Sequence, residues 1–207
     1  FSDLYGKLSF NSASGSYINF FGFDYSDNVD FAGVANYGWK SRGLGSKFLL
    51  VPGASKTIID GSFNFSNYAI TREEASTKPS SSGIDGFNVD LRFTRFLNDL
   101  DKLKYGLEMN GFSTDFEIFN TLNRRIEQRE NTSEVNAFVN YIKNFNKRLV
   151  LETRLRLQRY ATLQENSLEP RLRLKYNINS RLRFKASAGV YSQNLMSASS
   201  DRDVVNL

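Results

Sequence analysis

The sequence of 207 residues contains no cysteine and no histidine, and it has only three prolines and one tryptophan. The lack of cysteine excludes a disulfide framework and cysteine-ligated zinc. The lack of histidine removes the usual general base and the commonest neutral metal ligand. We therefore predict no catalytic residue, no cofactor and no metal site. Scarce proline suits long paired strands, which need their backbone N–H donors.

The sequence also lacks any run near the roughly 18 apolar residues that a membrane-spanning helix requires. Its mean hydropathy is −0.43. A low value does not exclude a membrane β-barrel, because half of each strand in such a barrel faces water. Aromatic residues, in contrast, are abundant, with 18 Phe and 10 Tyr.

The last quarter of the chain alternates apolar and cationic residues with a period of two. It reads Arg-Leu-Arg-Leu-Lys-Tyr from position 171 and Arg-Leu-Arg-Phe-Lys-Ala from position 181. Side chains alternate between two faces in a strand and not in a helix, so the pattern predicts a hairpin with one apolar face and one charged face. Lipid outside a barrel and water inside it supply the two solvents that such a hairpin needs.

Long segments of alternating polarity fill the rest of the chain, and several exceed the usual strand length of about 5–6 residues. The predicted fold is an all-β, antiparallel transmembrane β-barrel wall of about ten long strands. The predicted strands cover residues 4–11, 17–25, 37–51, 57–71, 85–97, 103–115, 133–145, 148–160 and the two halves of the hairpin at 171–191.

The connections are predicted to be alternately short and long, the long ones being 26–30, 72–83, 116–131 and 161–167. In outer-membrane barrels the short turns face the periplasm and the long loops face outside. A complete barrel of this class starts and ends in the periplasm, so that its first connection is long, whereas here the first connection is short. We therefore expect residues 1–207 to be one domain, an internal arc of a larger barrel that is truncated at both ends.

Short motifs in the sequence resemble barrel strands of TonB-dependent outer-membrane receptors. They are the Glu-Pro-Arg opening at position 169 and Ala-Ser-Ala-Gly-Val-Tyr-Ser-Gln at 186–193. Asp-Leu-Tyr-Gly-Lys-Leu-Ser-Phe at 3–10 looks like a strand of the Bacteroidetes type of these receptors, and Asp-Arg-Asp-Val-Val-Asn-Leu at 201–207 is similar to a loop segment of that type.

This resemblance implies a barrel of about 22 strands that is plugged by an N-terminal globular domain. It implies a protein of the Gram-negative outer membrane that takes up a nutrient, such as a metal chelate, a glycan or a peptide, with energy delivered through TonB. The implied partners are membrane lipid, the plug domain and TonB, with a surface lipoprotein as a further candidate. The plug domain is not within these 207 residues.

Positive charge is concentrated in the segment 147–185, which has eleven Lys or Arg residues and three acidic residues. A nucleic-acid site is not predicted there, because the cations alternate with apolar residues along strands. Seven of them are predicted to project into the lumen from three neighbouring strands, with Glu152 as the one acid clearly among them. Acidic groups of the plug, an anionic solute or water alone could face this basic wall of Arg154, Arg156, Arg171, Arg173, Lys175, Arg183 and Lys185.

Five aromatic residues near predicted strand ends are candidates for a girdle at the membrane interface. They are Tyr25, Tyr37, Trp39, Tyr68 and Tyr160.

The predicted function is part of a TonB-dependent transporter. A passive porin or structural outer-membrane barrel is an alternative, and a soluble β-sandwich that binds a ligand is another.

Overall fold

The computed structural model describes residues 1–74, 78–119, 124–146, 148–161 and 164–192. Ten antiparallel strands form one sheet in which neighbours in sequence are neighbours in space. The prediction of about ten long antiparallel strands is confirmed. The strands are β1 (Ser2–Asn11), β2 (Tyr17–Phe31), β3 (Ala35–Leu50), β4 (Thr57–Glu73), β5 (Ser80–Phe96), β6 (Lys102–Phe119), β7 (Arg125–Phe145), β8 (Leu149–Tyr160), β9 (Glu165–Asn177) and β10 (Arg183–Gly189).

The strand register fixes which side chains share a face, because directly opposed residues of an antiparallel pair point to the same side of the sheet. Apolar rows and polar rows alternate from β4 to β7. We call the two surfaces that these rows define the apolar face and the polar face. One apolar row is Phe63, Val89, Met109 and Val135, and the polar row beside it is Asn64, Asn88, Asn110 and Glu134.

Burial on the two faces is the reverse of that in a soluble protein. On the apolar face, Leu44, Leu107 and Leu157 are each more than half exposed. On the polar face, Asn136 and Glu169 are fully buried. A contiguous exposed apolar surface of this size marks contact with lipid or another partner.

The soluble β-sandwich alternative does not fit this arrangement. A sandwich covers the apolar face of one sheet with the apolar face of another. All ten strands of the described part of the chain belong to one sheet, so nothing there covers the apolar face. Among the same residues, no helix is long and apolar enough to cross a membrane.

The predicted long connections are wrong in their extent, because most of their residues continue the strands. The segment 26–30 lies within β2, and β6 and β7 stay paired as far as Phe119 and Arg125. Residues 165–167 likewise begin β9. Backbone pairing does not require an apolar side chain. The polar residues that extend these strands therefore show no alternation of apolar and polar residues from which a strand could be predicted. The predicted irregular segment after Asn194, with its motif at 201–207, lies outside the described residues.

The sequence predicts short connections at one end of the sheet and long ones at the other. In the structure the two ends differ instead in how far the strands extend. Beyond the apolar row that contains Met109, the hairpin of β6 and β7 continues for ten more residues of β6. At the opposite end, β5 continues for only seven residues beyond Val89, which lies in the same row as Met109. We call the end with the β2–β3, β4–β5, β6–β7 and β8–β9 connections the extended end, and the other the short end.

Strand β2 has apolar residues on both faces, and its pairing with β3 explains why. Phe20 and Ile18 belong to the apolar face, whereas Phe21 and Phe23 lie opposite Gly45 and Gly43 on the polar face. A Cβ atom on Gly45 would come within 2.6 Å of Phe21 Cζ, and one on Gly43 would meet the ring of Phe23. The two phenylalanine rings therefore cover glycines of the neighbouring strand, as in aromatic rescue of strand glycines.

We predict that Gly43→Ala lowers the free energy of unfolding by about 1–3 kcal/mol, the usual cost of overpacking, because the new methyl group overlaps the Phe23 ring. Urea titration of the folded protein in detergent micelles measures this change. Gly53→Ala is the matched control, since a Cβ atom at that turn glycine meets no atom within 4 Å. Equal stability of the two variants would contradict the packing role of Gly43.

Candidate functional site: the polar face

A continuous series of side-chain hydrogen bonds crosses five strands on the polar face. Asn64 Nδ2 donates to Asn88 Oδ1 at 3.1 Å, and Asn88 Nδ2 donates to Asn110 Oδ1 at 2.6 Å. Asn110 Nδ2 donates to Glu134 Oε1 at 3.0 Å, and Gln158 Nε2 donates to Glu134 Oε2 at 2.9 Å. We call these five residues the amide row. Each asparagine amide has two N–H donors and uses one within the row, so the row keeps polar capacity for water or a solute.

The register brings the seven predicted cations of the basic wall together on the polar face of β8, β9 and β10. Arg154 lies directly opposite Arg171 across the β8–β9 pair. Lys175 lies directly opposite Lys185 across the β9–β10 pair. The predicted common face and the three neighbouring strands are therefore present, while the partner of the wall stays a prediction.

Glu169 is the centre of the basic wall, and its side chain is fully buried. Its Oε2 accepts a hydrogen bond from Arg171 Nη2 at 2.5 Å and lies 4.0 Å from Arg156 Nη1. Its Oε1 accepts from the backbone N of Ser192 at 2.9 Å and from the hydroxyl of Ser192 at 2.5 Å. The Arg171 guanidinium also stacks on Tyr191, with Cζ 4.3 Å from the ring centroid. One carboxylate thus joins β8, β9 and the segment that follows β10.

Two further carboxylates neutralise the wall from within the sheet. Glu108 Oε2 lies 3.5 Å from Arg156 Nη2, and Glu152 Oε2 lies 3.8 Å from Arg173 Nη1. Of the three acids that pair with the wall, the sequence identified only Glu152. Glu108 comes from β6, two strands away from β8, so the full strand register was needed to find it. Glu169 belongs to the Glu-Pro-Arg motif, so the sequence drew attention to this position. Its contact with the segment after β10 depends on hydrogen bonds from Ser192, which the motif does not indicate.

The remaining four wall cations have no carboxylate within 4.0 Å among the described residues. Arg154 instead lies over the ring of Phe138, with Cζ 4.5 Å from the centroid. Arg183 Nε donates to Asn177 Oδ1 at 2.9 Å. Lys175 and Lys185 complete the set. The basic wall therefore divides into a part in which Arg156, Arg171 and Arg173 pair with carboxylates and a part near the β9–β10 turn in which Lys175, Arg183 and Lys185 do not.

The five aromatic residues predicted as an interfacial girdle all lie on the polar face. Tyr25 and Tyr68 both face Ser41, and Tyr160 faces Glu134 of the amide row. Tyr37 and Trp39 follow on β3, with their rings stacked 6.0 Å apart. A girdle requires rings that face lipid, so the register does not support this role for Tyr25, Tyr37, Trp39, Tyr68 and Tyr160.

A buried aspartate connects two hairpins at the short end of the sheet. Asp101, in the β5–β6 turn, accepts hydrogen bonds from Lys143 Nζ at 2.6 Å, Asn98 Nδ2 at 3.0 Å and the backbone N of Asn144 at 3.0 Å. These hydrogen bonds lower the pKa of the Asp101 carboxyl from 3.8 to about 2. The turn and strand β7 are thereby held together through an ionised side chain.

The described residues include no group of three or more acidic side chains that could hold a metal ion. A cavity of about 320 Å³ lies at the extended end, where Asp27, Trp39, Lys40 and Thr71 are among its lining residues.

Comparison with known proteins gives structural matches only, since no protein-family model and no curated protein sequence matches the chain. The iron transporter FrpB of Neisseria meningitidis superposes with a TM-score of 0.71 at 11% identity, over 89% of this chain and 35% of FrpB. The hemophore receptor HasR of Serratia marcescens, in complex with its hemophore HasA and heme, gives 0.66 at 11% identity, over 90% of this chain and 35% of HasR. The outer-membrane transporter YddB of Escherichia coli gives 0.58 at 10% identity, over 79% and 27%.

The chain has the fold of an outer-membrane β-barrel wall. It spans about a third of the length of HasR and of FrpB. At 10–11% identity the likeness is one of fold. The superposition therefore does not assign the ligands of these proteins to this chain.

We predict that Glu169→Ala destabilises the folded protein by about 3–5 kcal/mol, because the change leaves the charges of Arg156 and Arg171 without their buried partner. The midpoint of urea unfolding in detergent measures the loss. Glu165→Ala, at an exposed position on the same strand, is the control and should leave the midpoint unchanged. A midpoint for Glu169→Ala that matches this control would show that the carboxylate does not hold the wall together.

We also predict a pH-dependent contribution from Asp101. Its folded-state pKa of about 2 lies below the unfolded value of 3.8, so its stabilising effect is complete above the unfolded pKa and disappears as the pH falls through the folded one. Asp101→Asn should therefore lower the unfolding midpoint at neutral pH and have little effect near pH 2. Asp99→Asn, at an exposed position in the same turn, serves as the control. A difference between wild type and Asp101→Asn that is constant over this range would refute the linkage.

Proposed function

We propose that this chain forms part of the barrel of a TonB-dependent receptor that takes up a nutrient across the outer membrane of a Gram-negative bacterium. The observation that carries the proposal is the reversed burial of the two faces in a sheet that superposes on outer-membrane transporters. Such a sheet needs lipid on one side and a polar interior on the other. The role is transport, and the polar face offers amide and cationic groups for binding.

The apolar face contacts membrane lipid in this proposal. Its aromatic residues near the short end form a belt in the place where barrels carry an interfacial girdle. Phe93 and Tyr105 are stacked there with centroids 5.1 Å apart, and Tyr176 lies opposite Phe184. Since short turns face the periplasm in these barrels, the extended end faces the outside of the cell.

The polar face lines the lumen, and the ten strands are an internal arc of a larger barrel. Strands β1 and β10 are the edges of the sheet, and open edges are not tolerated within a membrane. We infer that further strands of the same barrel pair with both edges. A globular plug domain occupies the lumen and contacts the basic wall.

The other partners follow from the TonB-dependent type. TonB transmits energy through the plug domain, and a surface lipoprotein assists in the receptors of the Bacteroidetes type, which the motif at 3–10 resembles. Two of the neighbours in the structural comparison act on heme or iron. The nutrient is accordingly proposed as a class, namely a metal chelate, a glycan or a peptide.

Growth and uptake experiments on the complete receptor test this function. In a strain whose growth depends on the receptor, uptake of the nutrient should be lost when TonB is deleted and restored when TonB is supplied. The receptor should fractionate with the outer membrane in both strains, which controls for its presence. A passive porin, the main alternative, would give the same uptake with and without TonB, and that result would overturn the proposal.

A further inference from the structure

The two faces of the sheet exchange their polarity near the extended end. In the middle of the sheet, the apolar face carries large apolar side chains such as Phe65 and Phe87, which lie directly opposite each other. The next row of the same face, two residues further along each strand, is polar. Its side chains are joined in pairs by hydrogen bonds of 2.5 and 2.7 Å. We call this row the boundary row, and its members are Asp24, Arg42, Asn67 and Asp85.

The polar face changes in the opposite sense beyond the boundary row. Ile70 and Phe116 are buried there, and Ile84 is 46% exposed. The aromatic residues of the polar face lie in the same region of the sheet. We call this part of the polar face the aromatic surface, and its members are Tyr25, Tyr37, Trp39, Tyr68, Ile70, Ile84 and Phe116.

The boundary row lies where the lipid contact is expected to end. Ten residues of β5 lead from Arg95, near the short end of the apolar face, to Asp85 in the boundary row. At about 3.3 Å per residue they rise about 33 Å along the strand. With the strand tilt of about 35–45° that is usual in barrels, this rise corresponds to a height of about 25 Å, which is the height of the apolar band of such barrels. Beyond the boundary row the sheet therefore extends into water, with its apolar side chains facing inward.

The rings of the aromatic surface are held in place by their neighbours. Tyr37 and Trp39 are stacked with centroids 6.0 Å apart, and Phe31 packs edge-on against Tyr37 at 5.8 Å. Arg72 lies over the Tyr37 ring at 5.9 Å and is ion-paired with Glu74. Side chains that are ordered in advance lose little rotamer freedom on binding, which favours their use as a binding surface.

The aromatic surface places flat rings beside hydrogen-bonding groups. Tyr25, Tyr68 and Trp39 each combine an apolar ring with a polar tip. Ser41 lies between the two tyrosines in their cross-strand row, and Asp27 lies directly opposite Trp39. A sugar ring presents the complementary combination, since C–H groups form its faces and hydroxyl groups form its rim.

We propose that the aromatic surface binds a neutral glycan chain, whose sugar rings stack on the tyrosine and tryptophan rings. This inference rests on the proposed function and selects the glycan from the three classes of nutrient given there. Along β3 the rings extend from the row of Tyr25 and Tyr68 to Tyr37, four residues or about 13 Å further, which is enough for more than one sugar ring.

The other two classes fit the aromatic surface less well. A charged metal chelate requires a counter-charge, whereas the guanidinium of Arg72 is already paired with Glu74. An extended peptide that binds a sheet through its backbone requires an open strand edge. Strands β3 and β4, which carry most of the rings, are paired on both sides.

The test is isothermal titration calorimetry of the complete receptor in detergent, with neutral oligosaccharides of glucose, mannose, xylose and galactose as probes. We expect one of these four series to bind, and we expect Trp39→Ala to weaken that binding about tenfold, because a stacking contact is removed. Tyr68→Ala is a second variant with the same expected loss, and Trp39→Phe keeps a ring and should retain most of the affinity. Tyr105→Ala is the matched control, since it removes a stacked ring from the apolar face and should bind like the wild type.

Folded Trp39→Ala and Tyr68→Ala variants that bind with wild-type affinity would overturn the proposal. A wild-type receptor that binds none of the four series, or that uses Trp39 to bind a ferric chelate or a peptide, would overturn it as well. Failure of the proposed function gives a different result. Glycan uptake that depends on Trp39 but is unchanged when TonB is deleted would refute the TonB-dependent transporter and leave the glycan surface in place, whereas TonB-dependent uptake that Trp39→Ala does not reduce would refute the glycan surface alone.

Discussion

The backbone ladder between antiparallel strands is the interaction on which the rest of this structure depends. Pairing in sequence order satisfies the N–H and C=O groups inside the sheet, and this satisfaction is required of any backbone that lies in lipid. The same pairing fixes the register, and the register assigns each side chain to one of two faces. A slip of one residue in the β5–β6 pair would move Leu107 to the polar face and Glu108 to the apolar face, so the alternation of polarity and the ladder enforce each other.

The polar face shows how a sheet can carry many charges without a conventional core. Hydrophobic packing on this side involves side chains such as Phe23 and Phe138, and the amide row and Glu169 add side-chain hydrogen bonds between neighbouring parts of the sheet. Each link joins residues that are adjacent in register and about twenty apart in sequence. The cost of burying Glu169 is offset because its two oxygens receive hydrogen bonds from Arg171 and Ser192.

Much of this arrangement could be predicted from the sequence. An alternation of apolar and polar residues with a period of two indicates a strand whose two faces lie in different surroundings. The ten strands, the common face of the basic wall and the two faces of most strands follow from that period, whereas β2, which is apolar on both faces, and β3 could not be oriented from it. The signal fails where both faces of a strand meet water, as at 26–30, since polar pairing has no periodic signature. It also fails for Tyr25 and Trp39, whose ring chemistry suits an interface but whose register places them on the polar face. Contacts between strands, such as Glu108 with Arg156, depend on cumulative register and are invisible to any local pattern.

The uneven balance of charge along the basic wall connects stability with function. A wall that neutralised all its cations within the sheet would be stable alone and would offer no electrostatic contact to anything in the lumen. A wall with none neutralised would repel itself in a low-dielectric setting. Here Glu108 and Glu169 pair with the largely buried Arg156 and Arg171, whereas Arg183 and Lys185 near the β9–β10 turn are exposed and have no carboxylate within 4.0 Å among the described residues. Exposed charges repel one another less in water, so these two cations can stay without an acidic partner in this sheet.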